Sequence, residues 1–252
     1  MSTPVSDKYN QWHEHRLSEE HDRALDPANF ACWHQMVLPR LGDIKGLSIA
    51  EIGCGRGNFA IHLAGMGARM TAMDFSDAAI DIARDRSQRM RVEVDWKVGD
   101  AQNTQLPDNA FDVVISCECL EHVPEPQRMM AELSRILKPG GRLLLTTPSQ
   151  LNAQLLGWAH AWWKKAEYNS GSGVQPHENL FFTWHILRWL KKSGLKVTGR
   201  DARIFPFLLL PRVNPKKLRF ENIRPRLLHF LARPFGLHQL YEATKCTEPI
   251  EA

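Results

Sequence analysis

The sequence predicts an α/β protein, a mostly parallel sheet with helices on both faces. Three observations predict it. Strand-like and helix-like segments alternate over about 100 residues in the middle of the chain. The first strand-like segment runs straight into a glycine-rich turn, and a helix-like segment follows. The chain has 252 residues, 43% of them hydrophobic, which is enough for one core of this kind.

The elements follow in order. The first forty residues are polar, rich in His and Glu, and carry Trp12 and Trp33. Pro27 suits the first turn of a helix through Phe30, Trp33 and Val37. Leu47 to Glu51 reads as a short buried strand ending in Gly53-Cys54-Gly55-Arg56-Gly57. Asn58 to Ala64 reads as a helix ended by Gly65 and Gly67. Arg69 to Met73 is a second strand, finishing at Asp74. Ser76 is the expected N-cap of a helix from Asp77 to about Arg89.

Val92 to Val98 alternates apolar and polar residues like a strand and runs into Gly99-Asp100. Phe111 to Ser116 is a dense β-branched strand. Pro126 to Leu137 reads as an amphipathic helix, with Met129, Met130, Leu133 and Ile136 on its core face. Lys138 to Gly141 reads as a sharp stop before a strand from Arg142 to Thr147. Asn152 to Tyr168 suits a helix carrying Trp158, Trp162 and Trp163, and Ser170 to Gly173 a flexible loop. Thr183 is read as the N-cap of a helix to Ser193, stopped by Gly194. Leu195 to Arg200 and Leu237 to Lys245 complete the strands.

Composition removes several function classes. Net charge is +4, too small for the whole chain to be a nucleic-acid binder. No apolar run approaches the length of a bilayer-crossing helix. Met1 to Asn10 has no apolar h-region, so a secretory signal is not expected. The five cysteines show no Cys-x-x-Cys spacing, so neither a disulfide framework, a zinc knuckle nor any other metal site is expected. The expected compartment is a reducing cytoplasm.

The chemistry concentrates at Glu51-Ile52-Gly53-Cys54-Gly55-Arg56-Gly57. Glycines at a strand-to-helix turn let a ligand approach the backbone, and the following helix offers unpaired N–H groups. The dinucleotide fingerprint is Gly-x-Gly-x-x-Gly, and its third glycine would fall on Asn58. That argues against a nicotinamide-dependent oxidoreductase.

Four separated elements, in order, resemble the class I S-adenosylmethionine (SAM)-dependent methyltransferases. They are Glu51 to Gly57; Asp74; Gly99-Asp100-Ala101 with Leu106-Pro107 and Phe111-Asp112-Val113-Val114; and Cys119-Leu120-Glu121-His122-Val123 leading to Leu137-Lys138-Pro139-Gly140-Gly141. The branch is similar to the small-molecule, type 11 group that contains ubiquinone and menaquinone C-methyltransferases. The resemblance spans roughly Leu47 to Thr147. It implies a Rossmann-like seven-stranded sheet with the last strand antiparallel, and one domain over 1–252. Within it, 1–45 would cap the site, 46–149 would bind SAM, and 150–252 would face the acceptor.

The resemblance also implies roles. Glu51, Gly53, Cys54, Gly55 and Gly57 would lie at the amino-acid end and ribose of SAM. Asp74 would accept the ribose hydroxyls. Asp100 would take the adenine amino group, the Ala101 amide a ring nitrogen, and Phe75 one adenine face. Cys117 and Glu118 follow the fourth strand at the edge where such folds bind ligands, and they complete the expected cofactor-binding set. His122 is the candidate catalytic base, and His177 a candidate acceptor-side residue.

The acceptor is expected to be small or lipophilic. After the fourth strand, Ser116-Cys117-Glu118-Cys119 lacks the Asp/Asn-Pro-Pro-aromatic stretch of nucleic-acid amino methyltransferases, and no cysteine follows a proline. Between Arg200 and Phe235 nine basic residues face two acidic ones, a local charge of +7 interleaved with apolar residues. The basic insertion 204–235 could meet an anionic membrane, an acidic partner or its own domain. An RNA methyltransferase using this segment, or a non-catalytic subunit of the same fold, remain alternative readings.

Overall fold

A computed structural model describes Asn10 and residues 26–149, 179–203, 205–206, 219–220, 230–231 and 233–247. The proposed Trp158–Trp163 helix, the 170–173 loop, His177 and most of 204–235 lie outside the described residues.

The expected helix from Pro27 is two elements. Asp26 accepts the Ala28 N–H at 2.9 Å and caps only a 3-10 turn, Pro27–Asn29. Phe30 and Ala31 are then extended. This break lets the Phe30 ring enter the core edge-on to Phe59 and His62. Helix α1 begins at Cys32 and ends at Leu41 (Cys32–Leu41) with Pro39 in its last turn. Its C-terminal carbonyls are taken by Arg142, which donates to the Arg40 and Leu41 oxygens, each at 2.9 Å. A cation at a helix C-terminus also matches the helix dipole.

From there the sequence order is β1 (Ser48–Ile52), α2 (Asn58–Gly65), β2 (Arg69–Asp74), α3 (Asp77–Met90) and β3 (Val94–Val98). Next come β4 (Phe111–Cys117), α4 (Pro126–Ile136), β5 (Leu137–Pro148), α5 (Thr183–Lys192) and β6 (Leu195–Arg203). A two-residue ladder, β7 (Phe205–Pro206) with β8 (Arg219–Phe220), precedes β9 (His238–Lys245).

The main sheet has seven strands in the order β3-β2-β1-β4-β5-β9-β6. All neighbours are parallel except β9, which is antiparallel to both β5 and β6. The antiparallel strand expected at Leu237 to Lys245 is therefore present, inserted between two others.

Helices α1, α2 and α3 cover one face through Met36, Val37, Phe59, Leu63 and Ile80. Helices α4 and α5 cover the other through Met129, Met130, Leu133, Ile186 and Leu190. Central strands are buried on both sides, as a doubly covered parallel sheet requires. Ser76 Oγ accepts the Ala79 N–H at 3.1 Å, the cap that the sequence predicts for α3.

Two local readings differ. Lys138 to Gly141 is no stop, because β5 already pairs with β4 at Leu137. The register jumps between Phe111 and Val113, and Gly140, at φ +78°, carries the extra residues outward. Thr183 is the first residue of α5 rather than its cap. Its hydroxyl instead accepts from Tyr241 at 3.2 Å and Arg200 at 3.4 Å.

Candidate active site

Strand order reverses between β1 and β4, and the loops leaving β1, β2, β3 and β4 meet at that switch point. The β1–α2 turn has three positive-φ glycines, Gly53, Gly55 and Gly57. Gly53 and Cys54 both donate to the Met73 carbonyl, at 2.8 and 3.0 Å, which ties the turn to β2. A side chain at Gly53 would strike Cys119, and one at Gly57 would strike Trp96 and Ala83. The glycines are therefore required by the protein's own packing as well as by their backbone angles.

Asp74 closes this turn from β2. Its carboxylate accepts the N–H of Gly55 at 2.8 Å and of Ser76 at 3.0 Å. Burial pushes its pKa up, and the N–H groups of Ser76, Gly55 and Phe75 oppose that shift. Phe75 follows, half-buried. The Ser76 hydroxyl reaches Asn10 at 2.7 Å, so the N-terminal segment touches this loop at one described point.

Glu51 is 1% exposed and shares its sheet face with Ile49, under α1 and α2. Burial lifts its pKa to about 8, opposed by the Ala60 N–H and helped by Asp74. Its Oε2 has no hydrogen-bond partner among the described residues. His34 Nε2 lies 4.0 Å from Oε1, and the His34 ring stacks on Phe59 at 4.5 Å. Burial depresses His34 to about 3, so this contact joins two neutral groups at neutral pH. No spacing in the sequence links His34 to Glu51; the contact arises from the docking of α1.

Asp100 and Ala101 leave β3. Asp100 is exposed and its Oδ1 accepts from the Gln102 backbone at 2.8 Å and side chain at 3.0 Å. Gln102 Oε1 in turn accepts the Glu125 N–H at 2.8 Å. Farther along, Glu132 takes both the N–H and hydroxyl of Thr104 at 2.8 Å and pairs with Arg135 at 2.7 Å. The Arg135 hydrogen bond is the main reason that Glu132 falls to about 2. These bonds fix a β3–β4 connection that has no helix of its own.

Three thiols surround the site, Cys54, Cys117 and Cys119. Burial raises all three, with Asp74 adding at Cys54 and Cys119 and Glu51 at Cys117. Each is therefore held toward its protonated, less nucleophilic form.

His122 ends the 3-10 turn Leu120–His122, with Nε2 3.7 Å from Glu121 Oε1. Glu121 is buried and accepts the Thr147 hydroxyl at 3.0 Å. Glu118 has φ +49° and turns its carboxylate toward β9, where Oε2 meets His238 Nδ1 at 2.8 Å. Thus the glycine turn and Asp74 come together by a direct hydrogen bond, with Glu51 close enough to feel the Asp74 charge, whereas Glu118 pairs on the far side of β5.

A sequence profile of the methyltransferase-domain family matches residues 50–145. A ubiquinone biosynthesis O-methyltransferase of Xanthomonas oryzae pv. oryzae (strain PXO99A) is 32% identical over 78% of this chain and 80% of its own length. One from Coxiella burnetii (strain Dugway 5J108-111) is 34% identical over 61% of this chain and 65% of its own length. The chain belongs to the class I SAM-dependent methyltransferases. Among solved structures, magnesium protoporphyrin IX methyltransferase from Synechocystis PCC 6803, with bound S-adenosylhomocysteine (SAH), superposes with a TM-score of 0.63. That pair is 18% identical, covering 96% of this chain and 95% of the other, a likeness of fold.

In this member of the family the glycine turn sits at the switch point of the sheet. SAM is the methyl donor of that family.

Proposed function

We propose that the protein moves a methyl group from SAM to a hydroxyl oxygen of a small lipophilic acceptor. The observation that carries the cofactor half is Glu51 Oε2, a buried carboxyl oxygen beside the glycine turn with no hydrogen-bond partner among the described residues. Such an oxygen calls for a donor or cation, and the SAM ammonium is both. The residues therefore fit the group.

In this reading the Gly53–Gly57 turn, with Cys54, lets the backbone lie against the amino-acid end. Asp74 orients the ribose, while Phe75, Asp100 and Ala101 receive the adenine, with Cys117 lining the β4 edge. His122 accepts the proton of the acceptor hydroxyl, and His177 belongs to the acceptor side. SAM, when bound, supplies a methyl group activated on a sulfonium. The protein's part is to hold the acceptor in line with it and exclude water. Oxygen as the acceptor atom is supported by the names of the Xanthomonas and Coxiella relatives, both O-methyltransferases.

The acceptor side is also read as peripheral to an anionic membrane, approached from the cytoplasm. Trp184 is 60% exposed and stacks on Phe182 at 4.1 Å, and Phe230 and Leu231 are exposed as well. Phe230 and Leu231 belong to the +7 segment between Arg200 and Phe235. Among the described residues no helix is long and apolar enough to cross a membrane.

Calorimetric titration with SAH, with NADH as control, tests the core of the proposal. Micromolar SAH binding without NADH binding is expected, and a folded protein that ignores SAH refutes it. Co-sedimentation with phosphatidylglycerol vesicles but not phosphatidylcholine vesicles is expected for the membrane contact; equal recovery refutes that part.

A further inference from the structure

Glu118 stands apart from the other acidic residues of the site. It is a non-glycine residue at φ +49°, a conformation that L side chains rarely adopt. Its N–H donates to the Thr146 carbonyl at 3.0 Å, which fixes the turn leaving β4. One carboxylate oxygen, Oε2, lies 2.8 Å from His238 Nδ1. The other, Oε1, is buried without a hydrogen-bond partner among the described residues.

The partner is itself held. His238 opens β9 and pairs in register with Pro148 of β5 and Arg203 of β6. The Trp33 ring lies 5.2 Å from the imidazole. Burial alone would lower His238, but the Glu118 charge and hydrogen bonds to Cys32 and Glu118 outweigh it and push it up to about 10. At neutral pH the imidazolium therefore donates Nδ1–H to Glu118, leaving Oε1 as an acceptor with no donor among the described residues.

This oxygen lies away from the glycine turn. The glycine turn and Asp74 belong to β1 and β2, on one side of the switch point. Glu118 leans the other way, over β5 toward β9. That half of the sheet edge also carries Thr147, Ser149 and Phe181, which bridges to Ser149.

We propose that Glu118 is an acceptor-anchoring residue, its Oε1 accepting a hydrogen bond from a hydroxyl of the methyl acceptor, and that His238 is the positioning residue that aims it. The inference rests on the methyltransferase reading and adds the chemistry of acceptor choice. An ionised carboxylate oxygen can only accept, so an acceptor without a hydroxyl leaves it buried and unpaired. Sites built around such a group reject the analogue that lacks the donor far more strongly than an apolar pocket rejects a change of size.

The test is calorimetry on the full chain loaded with SAH, with 4-hexylphenol and its methyl ether 4-hexylanisole as probes. Wild type is expected to prefer the phenol by at least ~10-fold. Glu118→Gln and the shorter Glu118→Asp are expected to erase most of that preference while SAH affinity stays within about twofold. His238→Ala is expected to erase it too. His238→Asn, whose amide nitrogen falls near the Nδ1 position, is expected to restore part of it, which a merely structural imidazole would not do. Equal preference for the two probes in wild type overturns the inference. So does an unchanged preference in folded Glu118→Gln, or a loss of SAH affinity there, which would return Glu118 to the cofactor. Failure of wild type to bind SAH at all is a separate result that removes the methyltransferase reading itself.

Discussion

Asp74 Oδ2 accepts the Gly55 N–H at 2.8 Å, so the acid ending β2 holds the glycine turn that ends β1. The acid proposed to orient the ribose is also a brace for the glycine loop. Asp74→Ala is expected to weaken SAH binding at least ~100-fold, because it removes the ribose acceptor and releases the turn together. Asp74→Asn keeps Oδ1 and the Ser76 bond and should lose less. Calorimetry gives the affinities, and far-ultraviolet circular dichroism checks that both variants fold. Unchanged affinity in Asp74→Ala would remove Asp74 from the site.

Glu51 is expected to make cofactor binding depend on pH. In the free protein its pKa is about 8, so at pH 7 the group is mostly protonated. An ammonium beside Oε2 favours the carboxylate, so binding must release that proton. Affinity for SAH is expected to rise between pH 6 and pH 8, by up to ~10-fold per unit, and then level off. Glu51→Gln should flatten the profile. Titrations in buffers of different ionisation enthalpy count the proton released; none released at pH 7 refutes the prediction.

The same group acts oppositely on stability. Its folded pKa lies above the ordinary 4.5. Between those two values the folded chain keeps a proton that the unfolded chain has lost. The stabilisation is complete below pH 4.5 and declines as pH rises toward 8. Urea unfolding of Glu51→Gln should lack that decline relative to wild type.

Gly57 cannot gain a methyl group. Its φ is +72°, and an added Cβ would run into the Trp96 ring and Ala83. The Trp96 ring is itself pinned, its Nε1–H donating to Ser87 Oγ at 3.0 Å. Gly57→Ala is expected to cost about 2–4 kcal/mol, strain and overpacking together, read from the urea midpoint. A cost below ~0.5 kcal/mol would mean that the turn relaxes freely.

Arg142 is expected to matter beyond its exposure. Its two bonds to the Arg40 and Leu41 carbonyls terminate α1, the helix that carries His34 and Trp33 into the site. Arg142→Met should destabilise the fold by about 1–2 kcal/mol, and Arg142→Lys should recover only part because it cannot reach both oxygens. Denaturant unfolding of the three proteins provides the comparison.

Features legible in the sequence were those encoded within a few residues. The glycine turn, Asp74 and the Ser76 cap each announce themselves by spacing, and all sit where the pattern puts them. The alternation of elements gave the doubly covered sheet for the same reason. What could not be read depends on residues brought together from afar. Arg142 reaches α1 across about 100 residues, and His238 meets Glu118 across 120. His34 was hidden because the break at Phe30 and Ala31, which sets where α1 docks, is made by burial of an aromatic ring rather than by a breaker residue. Lys138 to Gly141 misled for a related reason. Pro and Gly marked irregular backbone correctly, but pairing with β4 absorbed that irregularity as a bulge.

The place of β9 bears on how the chain is assembled. It follows β6 in sequence, yet it lies between β5 and β6 and is hydrogen-bonded to both. During synthesis β6 has no neighbour to join until residue 245 has cleared the ribosome, and β5 stays open along one side. The half of the sheet that carries His238 must close late, by threading a strand into a gap, whereas β1 to β4 can associate as they emerge. The nascent chain would then have folded the half with the glycine turn before the half with His238 exists.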